Sequence, residues 1–355
     1  MLTVSPLLGL GIWGWALLAI ALGGCQSGFG PSAISREPLS VQGAGATFPA
    51  PLYRRWLQEF TQNKAYENVT WTYDSVGSGQ GIKRYLAESV DFGASDAPLT
   101  AEERRNYPAS RGKLLQLPMT GGLVVFSYNL AEIEGADHLK LSRASYCGIV
   151  TGEVKSWNDP QIMADNPGLN LPAAPILFVR RSDSSGTTYI FTRHLQAACP
   201  NWQAGAGKSV QWPVGIGAAG NEGVSAEIQQ SSGTIGYIEY SYARQKRLPI
   251  AALENRSGTF VVPTPENATE AFDGVTVPED FVLEIPDPEG TAVYPIVGLT
   301  WLLLYGQYEN PDKQKVLQDF VRWSLTQGKP YALEMGYLPL PEGLQKQVFA
   351  SLKSP

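Results

Sequence analysis

Four short stretches of this chain set glycine beside hydroxyl residues in the manner of helix starts and tight turns. They are Gly43-Ala44-Gly45-Ala46-Thr47-Phe48-Pro49, Gly77-Ser78-Gly79-Gln80-Gly81, Gly93-Ala94-Ser95-Asp96-Ala97-Pro98 and Arg180-Arg181-Ser182-Asp183-Ser184-Ser185-Gly186-Thr187. The first turn of a helix leaves backbone N–H groups without intrahelical acceptors and carries a partial positive charge. Ser, Thr or Gly there makes an anion cradle with little need of basic side chains. Taken singly, Thr47 or Ser78 reads as an ordinary N-cap. Together, with an arginine and an aspartate embedded among them, the segments point to a receptor for a small tetrahedral oxyanion. Glycine-flanked hydroxyls at this density are expected to serve the ligand and not packing.

Each residue has a role that its chemistry suggests. Thr47 and Phe48 offer a hydroxyl and a backbone N–H at one helix start, Ser78 opens a second, and Ser185, Gly186 and Thr187 open a third. Gly186 would let a ligand approach the backbone closely. Arg181 is the countercharge, able to meet two oxygens at once, while Arg180, its neighbour on a strand, should face the other way. Asp183 fits two roles equally, an ion pair that holds the guanidinium or an Asx-turn ahead of the helix. Asp96 is the most diagnostic. A carboxylate beside an anion site repels a fully deprotonated ligand and accepts a hydrogen bond from one that still carries a proton. Phosphate near neutral pH carries one and sulfate none, so Asp96 would act as a phosphate-over-sulfate filter. Its other reading is a turn residue capping the next helix.

The elements that must position these groups follow from periodicity. Short apolar strands alternate with amphipathic stretches from Val41 onward, the pattern of an α/β protein. Helices are expected over 49–62 (burying Leu52, Trp56, Leu57 and Phe60), 81–89, 187–198 and 313–326 (burying Val316, Leu317, Phe320, Val321 and Trp323). Strands are expected over 69–75, 90–94, 123–128, 176–179 and 233–238. Residues 255–290, rich in Pro, Glu, Thr and Asp, read as a surface connection. No internal repeat is visible.

Bulk properties narrow the function classes. The chain has 355 residues and a formal charge of −6, with no basic stripe to neutralise nucleic-acid phosphates. Leu7 to Leu22 is almost wholly apolar and Leu22-Gly23-Gly24-Cys25 closes it, which resembles a bacterial lipoprotein signal with Cys25 as the lipidated residue. An uncleaved anchor helix is the alternative, and both put the domain outside the cytoplasm. Residues 1–24 are thus expected as signal peptide and 25–40 as flexible tether. Cys147 and Cys199 form a plausible disulfide in such a compartment. His138 and His194 lack neighbours at metal-ligand spacing, so neither metal nor cofactor is expected. Gly205-Ala206-Gly207-Lys208-Ser209 imitates the end of a P-loop, but Trp202 stands where its first glycine belongs. Gly43-x-Gly45 fails as a dinucleotide fingerprint because Phe48 occupies the third glycine's place.

The segments GAGATFPAPLY, VGSGQGIK, VDFGASDAPLT and VRRSDSSGTTYIFT closely resemble the periplasmic phosphate-binding proteins of the high-affinity phosphate ABC transporter. So do WPVGIGAAGNEGV at 212–224 and GTIGYIEYSYA at 233–243, all in the same order along residues 41 to 350. The departures are Ser-Asp-Ser at 182–184, the divergent 255–290 region and the Cys147/Cys199 pair. The resemblance implies the two-lobed type II periplasmic-binding fold, with lobe one at 41–118 plus 297–355, lobe two at 119–296, and an anion held between lobes that close by a hinge. It places phosphate contacts on Thr47, Phe48, Ser78, Asp96, Arg181, Ser185, Gly186 and Thr187. It further implies a monomer that catalyses nothing and delivers inorganic phosphate to a membrane-embedded ABC permease. Two alternatives stay open at this point. One is a secreted phosphate-ester hydrolase with Ser185 as nucleophile and His194 as base; the other is a phosphate sensor without transport.

Overall fold

The computed structural model describes residues 37–133, 138–272, 275 and 277–353. The expected signal peptide, Cys25 and the tether up to residue 36 lie outside the described residues. Leu39 and Ser40, expected within the tether, belong to the first strand. Their side chains alternate buried and exposed, as a half-covered strand requires.

The first half of the chain runs β1 (Leu39–Gly45), α1 (Ala50–Phe60), β2 (Val69–Ser75), α2 (Ser78–Leu86), β3 (Phe92–Ser95), α3 (Ala101–Arg105) and β4 (Leu115–Asn129). The middle adds β5 (Lys140–Leu141), α4 (Arg143–Thr151), α5 (Pro160–Asp165), β6 (Leu177–Arg181), α6 (Gly186–Ala198), β7 (Ile216–Ala218), α7 (Gly220–Gln230), β8 (Thr234–Glu239) and α8 (Tyr240–Lys246). The last part contributes β9 (Ala252–Glu254), β10 (Phe260–Val261), α9 (Pro265–Thr269), β11 (Val297–Leu304), α10 (Pro311–Leu325), α11 (Lys329–Met335) and α12 (Glu342–Ser351).

The strands follow the order β2-β1-β3-β11-β4-β8-β6-β7, with a small sheet β10-β9-β5 beside them. β1, β2 and β3 are mutually parallel and β11 joins β3 antiparallel. β4 is the element that links the two halves. Its residues 115–123 pair with β11, and 124–129 pair with β8, which runs parallel to β6. The fold is thus a mixed α/β arrangement in which one curled eight-stranded sheet is shared by two halves through β4, in line with the expected two-lobed architecture. Ligand crevices in such sheets lie beyond the carboxyl ends of the strands, and β1, β3 and β6 all end in the segments singled out above.

Four details differ from the sequence reading. The second helix spans Ser78–Leu86 and not 81–89, because Gly77, at φ +87°, turns the chain directly into it and accepts the Gly81 amide at 3.0 Å. Two of the glycines do serve packing. A Cβ on Gly45 would stand 2.1 Å from the Ala94 carbonyl oxygen, and one on Gly81 would stand 2.3 Å from Gly45 Cα. These small residues let α2 and β3 lie close against β1. The 255–290 region is more than a surface connection: it holds β10 and α9 and buries Val261, Ala268, Phe272 and Phe281. The Phe281 carbonyl accepts the Trp301 indole N–H at 2.9 Å. On α10, Val316, Leu317, Phe320 and Val321 are buried as expected, whereas Trp323 is only half-buried. Cys147 on α4 and Cys199 at the end of α6 form a disulfide, with Cα atoms 5.5 Å apart.

Candidate anion-binding site

Thr47, Ser78 and Asp96 come from the ends of β1, β2 and β3. Thr47 does not cap α1 with its side chain, since that helix has no side-chain cap. Its hydroxyl instead accepts from the backbone N–H (3.2 Å) and the side-chain amide (2.8 Å) of Asn221 on α7. Phe48 is fully buried, and its carbonyl accepts from the Tyr337 hydroxyl at 2.8 Å. Ser78 is the first residue of α2, and its Oγ accepts the Asp96 amide at 3.1 Å.

The other half of the site is built on β6 and α6. Arg181 ends β6 and is 3% exposed. Its Nε and Nη2 grip the Asp183 carboxylate at 2.7 and 2.5 Å, and its Nη1 reaches the Thr187 hydroxyl at 3.3 Å. Asp183 is therefore an ion-pair partner. Burial raises its pKa, but the Arg181 hydrogen bonds and charge, with the Gly220 amide at 3.0 Å, outweigh this and hold it below the usual carboxylate range. Ser185 is the N-cap of α6, accepting the Thr188 amide at 3.0 Å. A Cβ on Gly186 would come 2.3 Å from Ser78 Oγ and 2.6 Å from Asp96 Oδ2. The two halves meet at that point.

One regularity runs through the hydroxyls. Thr47, Ser78, Ser185 and Thr187 each already accept at least one N–H bond from the protein. A hydroxyl has one donor and two acceptor positions, and these bonds do not use the proton. Thr47, Ser185 and Thr187 are thus set to donate, while the Ser78 hydroxyl also reaches Asp96 Oδ2 at 3.5 Å. Asp96 is the counterpoint: it is 1% exposed, and its Oδ1 has no hydrogen-bond partner. Burial pushes its pKa up to about 7, against the opposing pull of the Thr300 hydroxyl, the Arg181 guanidinium and the Ser78 hydroxyl. It does not cap the next helix, which Thr100 and Glu103 close with a capping box.

Sequence reasoning missed Asn221. This buried residue donates to Thr47 and, at 3.0 Å, to Thr187, while its Oδ1 accepts the Glu239 amide at 3.0 Å. Its signal was present in Ala219-Gly220-Asn221-Glu222, a further glycine-led helix start. Tyr237, which accepts the Arg181 amide at 3.2 Å and shares a 2.6 Å bond with Thr188, was missed as well. Ser185 and His194 are not brought together. They stand nine residues apart along the helix, about 13 Å of rise, and His194 Nε2 lies 3.2 Å from the Tyr146 hydroxyl. Among the described residues no group of His, Cys, Asp or Glu is arranged to hold a metal.

A family model described as a PBP superfamily domain matches residues 31–327. The phosphate-binding protein PstS of Pasteurella multocida is 38% identical over 333 residues, spanning 92% of this chain and 93% of that protein. PstS of Methanocaldococcus jannaschii is 36% identical, spanning 92% and 90%. Among solved structures, a high-affinity periplasmic phosphate-binding protein bound with phosphate superposes with a TM-score of 0.73 at 24% identity, covering 88% of this chain and 94% of that one. The phosphate-binding protein of Stenotrophomonas maltophilia superposes at 0.68 with 21% identity, covering 88% and 93%. These last two speak for the fold, and the sequence relatives speak for descent. With more than a third of its residues shared with such relatives over nine-tenths of its length, the chain belongs to the PstS family of phosphate-binding proteins within the PBP superfamily.

Proposed function

We propose that this protein captures inorganic phosphate between its two lobes, outside the cytoplasm, and passes it as a monomer to a membrane-embedded ABC permease without catalysing a reaction. Thr47, Phe48, Ser78, Asp96, Arg181, Ser185, Gly186 and Thr187 are the proposed contacts, with Asn221 added as the residue that orients two of the hydroxyls. Lobe one is assigned to 41–118 plus 297–355 and lobe two to 119–296. The change of β4's partner between Leu123 and Val124 supports a crossing close to these limits. Residues 1–24 are assigned as signal peptide and Cys25 as the lipid-bearing residue that tethers the protein to the membrane.

The observation that carries the ligand assignment is the single buried acceptor in a ring of donors. Arg181 is already matched in charge by Asp183, so the site offers directed dipoles in place of a net positive field. With Asp96 ionised, an oxyanion without a proton would face its unpaired oxygen with nothing to give it, at a cost of about 1–3 kcal/mol or more for a charged group. Phosphate with one proton fills that acceptor and receives the hydroxyl and amide donors on its other oxygens. Titration calorimetry with phosphate and then sulfate, repeated on Asp96→Asn, tests this. Tight phosphate binding, no sulfate heat, and weakened discrimination in the variant are expected. Silence toward phosphate in the unaltered protein would overturn the assignment.

A further inference from the structure

The loop Gly205-Ala206-Gly207-Lys208-Ser209, phosphate-loop-like in sequence, is strapped to α6 at two points. The Gly207 amide donates to the Thr192 hydroxyl at 3.1 Å. The Lys208 carbonyl accepts the Ser185 amide at 2.8 Å, on the very residue that caps α6 and opens the anion cradle. The Lys208 side chain then leaves the loop and crosses to the other half of the molecule. Its Nζ donates to Glu103 Oε1 on α3 at 2.6 Å, with the two side chains only 15% and 22% exposed. The second oxygen of Glu103 accepts the Thr100 amide at 2.8 Å within the capping box of α3, so this end is fixed too.

We propose that Lys208 and Glu103 form a clasp between the lobes, acting as positioning residues that set how fast a captured anion is released and not which anion is chosen. The proposal rests on the phosphate reading above for its ligand. Its logic is mechanical. The lysine is fixed to the α6 start through its backbone and to α3 through its ammonium. Separating the lobes therefore means breaking a charge-assisted bond between partly desolvated groups and rehydrating both. Neither side chain is among the proposed phosphate contacts, so discrimination between oxyanions should be untouched. Other contacts cross the same seam, among them the Gly79 amide to the Ser184 carbonyl at 2.9 Å and Ser75 Oγ to Glu222 Oε1 at 2.9 Å. Each of these two joins neutral to neutral or neutral to charged groups; Arg104 and Asp280 also pair across the seam, but at 3.9 Å and more exposed, whereas the clasp joins two full charges at 2.6 Å.

The test is stopped-flow association and release of inorganic phosphate on the full chain, with Lys208→Met, Glu103→Gln, the double variant and Lys208→Arg. Methionine keeps most of the apolar stem and glutamine keeps the cap, so each single change removes mainly the charge pair. Release about tenfold faster in both singles, no faster in the double, with association and phosphate-over-sulfate preference within about twofold and partial recovery in Lys208→Arg, is the expected result. Release within about twofold of the unaltered protein in both singles, or effects that multiply in the double, would overturn the clasp. Should the unaltered chain bind no phosphate, the functional reading fails by itself. The clasp is then judged by hydrogen exchange: several-fold faster exchange of the Ser185 amide in Lys208→Met supports it, and unchanged exchange overturns it.

Discussion

At the scale of single residues, Gly186 carries an unusual demand. It is the first residue of a helix, where alanine is normally the better choice by about 0.5–1 kcal/mol. Here a methyl group would sit 2.3 Å from Ser78 Oγ and 2.6 Å from Asp96 Oδ2, atoms of the opposite half of the site. The clash exists only when the halves meet. Gly186→Ala is therefore expected to leave thermal stability near that of the parent while weakening phosphate binding by at least about a hundredfold, roughly 3 kcal/mol. Calorimetry beside a thermal melt separates the two effects. A dissociation constant within a few-fold of the parent would mean that the helix start can withdraw without opening the cradle. Asp96 and Arg181 differ from Gly186 in that their roles follow from charge, which a sequence displays; the steric role of Gly186 depends on what faces it.

At the scale of elements, most of the cradle was legible because one composition signals it. A glycine-led turn ending in Ser or Thr before an amphipathic run announces a helix start, and α2 and α6 both begin at such points. The same rule would have found α7, whose start brings Asn221 between Thr47 and Thr187. A rule framed on hydroxyls does not reach it, because Asn221 works through an amide. Removing that amide should cost twice. Asn221→Ala leaves the buried Glu239 amide without its acceptor and frees both threonine hydroxyls to rotate. A stability loss of about 1–3 kcal/mol in denaturant unfolding, with phosphate affinity lower by about tenfold or more, is expected. What could not be read was the behaviour of β4. Its short apolar run Leu123–Phe126 says only that both faces are covered there. Nothing local records that it changes partner from β11 to β8 midway. Nor did the Pro-rich 255–290 region reveal its core residues, since Val261, Phe272 and Phe281 are spaced without period.

At the scale of the whole molecule, three buried ionisable groups set the pH dependence of the ligand-free fold. Burial raises Asp96 to about 7 and Glu239 to about 8, the latter against hydrogen bonds from Ser241 and Tyr337 and with added repulsion from Asp96. Burial lowers His194 to about 4, with Asp287 opposing and Arg143 adding to the fall. The carboxyls hold protons more tightly folded than unfolded, so their contribution is complete below the unfolded values of 3.8 and 4.5 and is lost as pH rises through the folded ones. The histidine does the reverse. Its contribution is complete above the ordinary 6.5 and is lost as pH falls toward 4. Between about pH 5 and 6.5 the folded chain therefore carries two of these protons and the unfolded chain one, so stability declines as pH rises. Above about pH 6.5 the histidine proton no longer offsets the carboxyls and the decline steepens, levelling off once Asp96 and Glu239 have ionised. The melting temperature of phosphate-free protein should accordingly fall from about pH 5 toward about pH 8, and Glu239→Gln should flatten the upper part of that fall. A melting temperature that rises steadily from about pH 5 to 8 would show that the carboxylates are stabilised in their ionised form even without ligand. In that case the acceptor role of Asp96 would rest on a fixed negative charge, and its partnership with a protonated anion would be the stronger for it.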